Sequence, residues 1–85
     1  MNIKEIITVT NTFLVEEFEA NPDEIKPEAN LKATLDLDSL DYIDMVVVIE
    51  DNFGFKVKPE DFQTIVTFQD FYDYVTARVQ QKELV

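Results

Sequence analysis

The sequence predicts an all-α fold, a small four-helix bundle with a long loop between helices one and two and a short third helix. Three observations carry this expectation. Apolar residues recur at helical spacing in three separate stretches, near 3–19, 39–53 and 68–81. The chain holds one Gly and three Pro, and all four fall between those stretches, where they punctuate the pattern without breaking it. Its 85 residues leave room for one core only, so a single domain is expected over 1–85. A domain this small buries only about 60% of its unfolded surface, and its stability should be modest.

In the first stretch, Ile3, Ile6, Ile7, Thr10, Phe13, Leu14 and Phe18 follow a helical stripe with acids between them, and Asn2 with Glu5 suits the helix start. Ala20 to Asp38 holds Pro22 and Pro27 and lacks helical periodicity. Ile25, Leu31, Leu35 and Leu37 recur there as anchors for a long loop. Loops of this length are uncommon in small domains and often functional.

A second helix should run from Ser39 to Phe53, with Gly54 as its C-terminal cap. Val46-Val47-Val48-Ile49 has strand propensity, so a buried strand competes. The apolar pattern continues at helical spacing through Phe53, and no second strong strand exists to pair with it. Pro59 suits the first turn of a short helix over Pro59–Ile65, where its missing N–H costs nothing. Thr67 with Asp70 reads as a variant capping box for a last helix, about 68–81, whose stripe is Phe68, Phe71, Tyr72, Val75 and Val79.

The charge is lopsided: 18 Asp+Glu against 7 Lys+Arg, no His, net −11. Nucleic acid and anionic membrane are thereby disfavoured as partners, since both require a basic surface. The apolar fraction of 46% and the aromatic content argue against disorder. Without Cys there is no disulfide, thiol nucleophile or Cys-based zinc site; without His, Ser-His-Asp and Cys-His machinery are gone. A Ser-Lys pair or carboxylate dyad remains open, but so short a chain offers little space for a water-excluding pocket, and an enzyme is not expected. The N-terminal residues do not resemble a secretory signal, and no apolar run approaches the ~20 residues needed to span a membrane. A soluble, cytoplasmic protein is the expectation.

Six acids and no base lie between Ala33 and Phe55. At about 100° per residue, Tyr42, Val46, Ile49 and Phe53 fall within roughly 60° and form a core stripe, whereas Leu40, Ile43 and Val47 lie about 100–160° away. That second apolar sector is flanked by Asp44, Glu50 and Asp51. It reads either as ordinary surface apolarity or a helix buried on several sides, or as a docking face for a basic partner. Ser39 also has two readings. Serine is a common N-cap; alternatively, a phosphate esterified to it would be favoured by the helix dipole. With no His, Ser39 cannot be activated from within. An EF-hand calcium loop fails, since neither Asp36 nor Asp38 as first ligand places oxygen, glycine and glutamate where the motif needs them. Weak divalent binding by charge relief is all that remains, and no metal site is assigned.

The run Asp38-Ser39-Leu40-Asp41, opening an acidic helix after a long loop, resembles the attachment motif of acyl carrier proteins. The likeness spans essentially the whole chain and includes Ile49-Glu50-Asp51 before Phe53, Val57 before the acidic short helix, Ile65 ahead of Thr67, and Asp73-Tyr74-Val75. It implies that Ser39 receives a 4′-phosphopantetheine from coenzyme A through a separate phosphopantetheinyl transferase, with Asp38 helping to position it. The arm's thiol would carry acyl groups as thioesters for fatty-acid or polyketide-type synthesis. By the same resemblance Leu40, Ile43 and Val47 form the apolar part of a docking face. Asp41, Asp44, Glu50 and Asp51 meet basic patches on acyl-transfer and synthase enzymes, and the carrier is a monomer. Val46, Ile49, Phe53, Phe62, Ile65 and Phe71 are candidates to shelter an acyl chain, with plain core packing as the equal alternative.

One position departs from the family pattern: Asp36 stands where glycine is usual, three residues before the serine. Glycine tolerates backbone angles that cost other residues energy, and Asp is among the better replacements. Two other functions stay in view, an aminoacyl or D-alanyl-type carrier and an acidic helical adaptor that is never modified.

Overall fold

Asn2 opens the first helix by accepting the Glu5 amide on its side-chain oxygen at 2.9 Å, and α1 runs over Ile3–Phe18. The computed structural model describes residues 2–83, with side chains placed for residues 2–81. After α1 come a 3-10 turn at Pro22–Glu24, a short helix α2 at Leu31–Leu35, α3 at Ser39–Phe53, a 3-10 helix at Pro59–Thr64, and α4 at Phe68–Glu83. The three long helices and the short helix between α3 and α4 form the expected all-α bundle.

The long connection is more structured than its aperiodic sequence suggests. Asn21 caps the Pro22 turn, and Asn30 caps α2 by accepting the Ala33 amide at 2.8 Å. A single helical turn shows no periodicity, so the sequence pattern could not reveal α2. The connection is stitched by backbone bonds to Val66 and to the first residues of α4. Leu31 N–H donates to Val66, Phe68 N–H to Ala29, and Gln69 N–H to Pro27. Leu31 and Leu37 are buried, while Ile25 and Leu35 pack half-buried against the core, so all four anchors hold.

The core is threaded by aromatic rings in contact, running Tyr42–Phe62–Phe71–Phe13–Phe53–Phe55–Tyr74 with centroids 5.2–6.4 Å apart. Each such contact is worth about 0.5–1.5 kcal/mol beyond the area it buries. Phe68, Phe71, Tyr72, Val75 and Val79 of α4 are all buried, as their stripe requires. The α3 stripe needs correction. Ile49 and Phe53 are buried, but Tyr42 and Val46 are only half-buried, and Met45, absent from the expected stripe, is fully enclosed. The helix is rotated so that Met45, Ile49 and Phe53 face the core, with Phe53 against Phe13 of α1. Tyr42 is thereby turned toward the 3-10 helix, where its ring meets Phe62.

The start of α4 is a reciprocal cap. Asp70 N–H donates to the Thr67 hydroxyl, while the amides of Thr67 and Val66 donate to the Asp70 carboxylate at 3.2 and 3.1 Å. These backbone donors, Thr67 first, hold the Asp70 carboxyl below its ordinary range. A carboxyl whose folded pKa is depressed stabilises the fold above its unfolded pKa and loses that contribution as pH falls through the folded value. Asp70→Asn should therefore lower the urea midpoint at neutral pH. The gap from the parent should close as pH drops below the usual carboxylate range. A gap that stays constant down to acid pH would show that the carboxylate's charge is not what closes this helix.

Candidate functional site

Two residues before α3 begins, the chain passes through Leu37, a buried anchor, and just before it through Asp36, the C-cap of α2. Asp36 has φ 52° and ψ 51°, the left-handed region. Glycine enters that region freely, and Asp bears it at lower cost than a β-branched residue would.

Asp38 then closes the helix. Its Oδ1 accepts the amides of Leu40 and Asp41, both at 3.0 Å, while Asp41 Oδ2 accepts the Asp38 amide at 3.1 Å. The N-cap is thus Asp38, and the reading of Ser39 as a serine cap is overturned. Ser39 is the first helical residue, it is exposed, and among the described residues its hydroxyl has no hydrogen-bond partner. The cap also consumes the Leu40 and Asp41 amides that a bare helix start would offer an anion, leaving the amide of Ser39 itself.

Beyond Ser39, α3 presents the second apolar sector to the outside. Leu40 is 71% exposed, Ile43 52% and Val47 51%. Asp44 and Asp51 are exposed beside them, and Asp41 and Glu50 are half-buried. Burial of the helix on several sides is ruled out: three large apolar side chains on one face are left in water at measurable cost.

The flanks of this face differ in charge. Toward α1, a groove of about 480 Å³ runs along Glu17, Phe18, Asp44, Val47 and Asp51, and an adjoining hollow adds Glu19 and Asp41. Toward the 3-10 helix, a cleft of about 500 Å³ is walled by Tyr42, Phe62, Ile65 and Val66, with Asn30, Lys32 and Gln63 on it as well. Of the six residues proposed to shelter an acyl chain, Phe62 and Ile65 line this cleft. Val46, Ile49, Phe53 and Phe71 do not, and the last three are core residues. Sequence reasoning missed Asn30, Lys32, Gln63 and Val66, because they come from two segments with no periodicity, brought together by the Asn30–Thr67 backbone bridge. Burial raises the Tyr42 phenol above its ordinary pKa, so it remains a neutral donor at physiological pH.

Comparison with known proteins decides the family. Residues 11–75 match the family described as "Phosphopantetheine attachment site". The chain belongs to this phosphopantetheine-attachment family. It is 28% identical over 79 residues to an acyl carrier protein of Thermosynechococcus vestitus, covering 93% of this chain and 98% of that one. It is 34% identical over 70 residues to "Acyl carrier protein 2" of Ralstonia nicotianae, covering 82% and 86%. Membership implies a 4′-phosphopantetheine prosthetic group. The Ser39 hydroxyl fits such a group, being exposed and without a protein partner at the head of a 15-residue helix.

The left-handed residue ahead of the site gives a test of the local geometry. Asp36→Gly should raise stability by about 0.5–1 kcal/mol through relief of the Cβ strain, and Asp36→Val should lower it by about 1–2 kcal/mol. Urea denaturation of the two variants would show opposite shifts; two shifts of the same sign would contradict the assigned backbone.

Proposed function

We propose that this phosphopantetheine-family protein carries acyl groups on an arm attached to Ser39, for fatty-acid or polyketide-type synthesis, and performs no catalysis itself. The observation that carries the reading is the Ser39 hydroxyl, held at the first position of α3 by a cap made entirely of its neighbours. The cap fixes the helix start without using the serine oxygen, so modification of that oxygen leaves the fold's hydrogen bonds intact. In the attachment step, Ser39 Oγ forms a new P–O bond to the pantetheine-bearing phosphorus of coenzyme A. The bond to 3′,5′-ADP breaks, and the hydroxyl proton passes to the transferase, since no His stands near to take it. When bound, the arm supplies the thiol that this Cys-free chain lacks. Asp38 keeps Ser39 in place through its two backbone bonds, a positioning role.

Leu40, Ile43 and Val47 then form the apolar centre of the docking surface, and Asp41, Asp44, Glu50 and Asp51 its charged rim. An exposed apolar patch ringed by one sign of charge suits transferase and synthase partners with basic surfaces, attracted before contact and gripped by the patch after it. The partners read the same helix in succession, which is consistent with the exposure of Leu40, Ile43 and Val47.

Two measurements test this. Incubation with coenzyme A and a broad-specificity phosphopantetheinyl transferase should add one phosphopantetheinyl group to the intact mass, and Ser39→Ala should abolish the gain. A folded protein that stays unmodified would point to the unmodified adaptor instead. Asp44→Lys with Glu50→Lys should slow loading on the order of tenfold at low salt and flatten its dependence on ionic strength. Unchanged rates would reduce the acidic rim to a device for solubility.

A further inference from the structure

The flank of α3 that faces the 3-10 helix differs chemically from the hollows beside α1. The hollows beside α1 are lined by carboxylates, with Glu17 shared among them, and by no cation. The cleft at Tyr42 and Phe62 is lined by a cation, Lys32, and by no carboxylate. In a chain with 18 acids and 7 bases, a cleft free of acid is the exception. Its polar groups are all able to donate: the Lys32 ammonium, the Asn30 and Gln63 amides, and the Tyr42 hydroxyl. Asn30 spends its side-chain oxygen on the Ala33 amide, which leaves its NH₂ outward. Among the described residues, none of these four donors has a protein acceptor. Between them lie Phe62, Ile65 and Val66, the last half-exposed.

A saturated chain laid on this floor would cover the apolar residues but strip water from the donors and return nothing to them, a cost that rises with each donor covered. A chain ending in oxygen covers the same floor and gives the donors acceptors. The cleft begins at Tyr42, one helical turn from Ser39, within reach of anything tethered there.

We propose that this cleft selects carboxylate-bearing acyl groups over saturated ones, with Lys32 as the residue that sets the preference. The proposal rests on the carrier reading, because the tether to Ser39 is what brings the acyl group to the cleft. Electrostatics favours the assignment twice. A negative acyl terminus is repelled by the carboxylates of the α1-side hollows and attracted by Lys32 in this cleft.

The test removes dependence on the transferase. The chain has no cysteine, so Ser39→Cys creates a single thiol, which is alkylated with pantetheine-length haloacetamides. These end either in a saturated six-carbon tail or in its ω-carboxylate analogue of equal length. Occupancy is read from the backbone amide resonances of Lys32, Gln63, Ile65 and Val66. At low salt the carboxylate tail should occupy the cleft about three- to fivefold more than the saturated tail, the range of a partly exposed ion pair. Lys32→Met should erase the difference, Lys32→Arg should keep it, and added salt should shrink it. Equal occupancy by the two tails, shifts confined to other residues, or a preference that survives Lys32→Met would overturn the proposal. In parallel, native Ser39 is loaded enzymatically with the same acyl groups from their coenzyme A thioesters. Failure there alone counts against the carrier reading, whereas failure of the alkylated Ser39→Cys series counts against the cleft.

Discussion

Helices α3 and α4 of this chain, and the 3-10 helix between them, are started by carboxylates that accept backbone amides in place of cations. With 18 acids and 7 bases, most carboxylates cannot find a cation, and no ion pair joins the described side chains. The acids that accept backbone amides sit at helix starts: Asp38 and Asp41 at α3, Asp61 at the 3-10 helix, Asp70 at α4. There each meets unpaired N–H groups and the positive end of the helix dipole, which offset its charge. The fold thus tolerates a large negative charge by placing part of it where the backbone is electropositive. The rest of the acidity stays on the surface, where it costs the compact state some self-repulsion.

What resists that repulsion is the line of aromatic rings. Phe13 of α1 touches both Phe53 of α3 and Phe71 of α4, so one ring ties the three long helices together. The short 3-10 helix is tied to this line through two adjacent residues. Phe62 meets Phe71 and Tyr42, and Tyr74 donates its hydroxyl to Asp61 at 2.8 Å. At the other end, the Arg78 guanidinium lies over Phe55 and Tyr74 and donates to the Lys56 carbonyl, which pins the turn after α3 to α4. Held at both ends in this way, α3 presents its remaining face to solvent as a rigid surface.

How much of this is legible in the sequence depends on length and period. The long helices are, because fifteen or sixteen residues at 3.6-residue spacing carry several repeats of the pattern, and their caps are local: Asn2, Gly54 and the Thr67–Asp70 pair all act where they stand. The exposed sector at Leu40, Ile43 and Val47 is equally legible, being a phase offset within one helix. Helix α2 is not, since five residues cannot display a period. Nor is Met45, because a wheel built from the most apolar residues centres on Tyr42 and Val46 and so misses a rotation that only the packing of α1 and α4 sets. The choice of Asp38 over Ser39 as cap is also hidden, as both types cap well and only the backbone angle of each decides. The cleft lies furthest from sequence reading. Its polar residues sit on segments about thirty positions apart and meet only through tertiary hydrogen bonds.

These points converge on α3 as a helix with three distinct environments around it. The inner side is sealed by Met45, Ile49 and Phe53; the outer side offers exposed apolar residues rimmed by acid; the side toward the 3-10 helix opens on an acid-free cleft. A carrier has to satisfy two opposed demands, since its arm must be reachable by many enzymes and yet its thioester must be kept from water between visits. On a helix with a single apolar face, docking and shelter would compete for the same residues. Here Leu40, Ile43 and Val47 are separated around the helix from Tyr42, so on the proposed reading a partner docked on the first three would leave the cleft open, and an acyl group in the cleft would leave that face bare. Ser39 stands at the head of the helix from which both surfaces descend. An arm attached there, as proposed, would reach either surface without any change in the fold, and the capping box holds the helix start while leaving the serine oxygen unused.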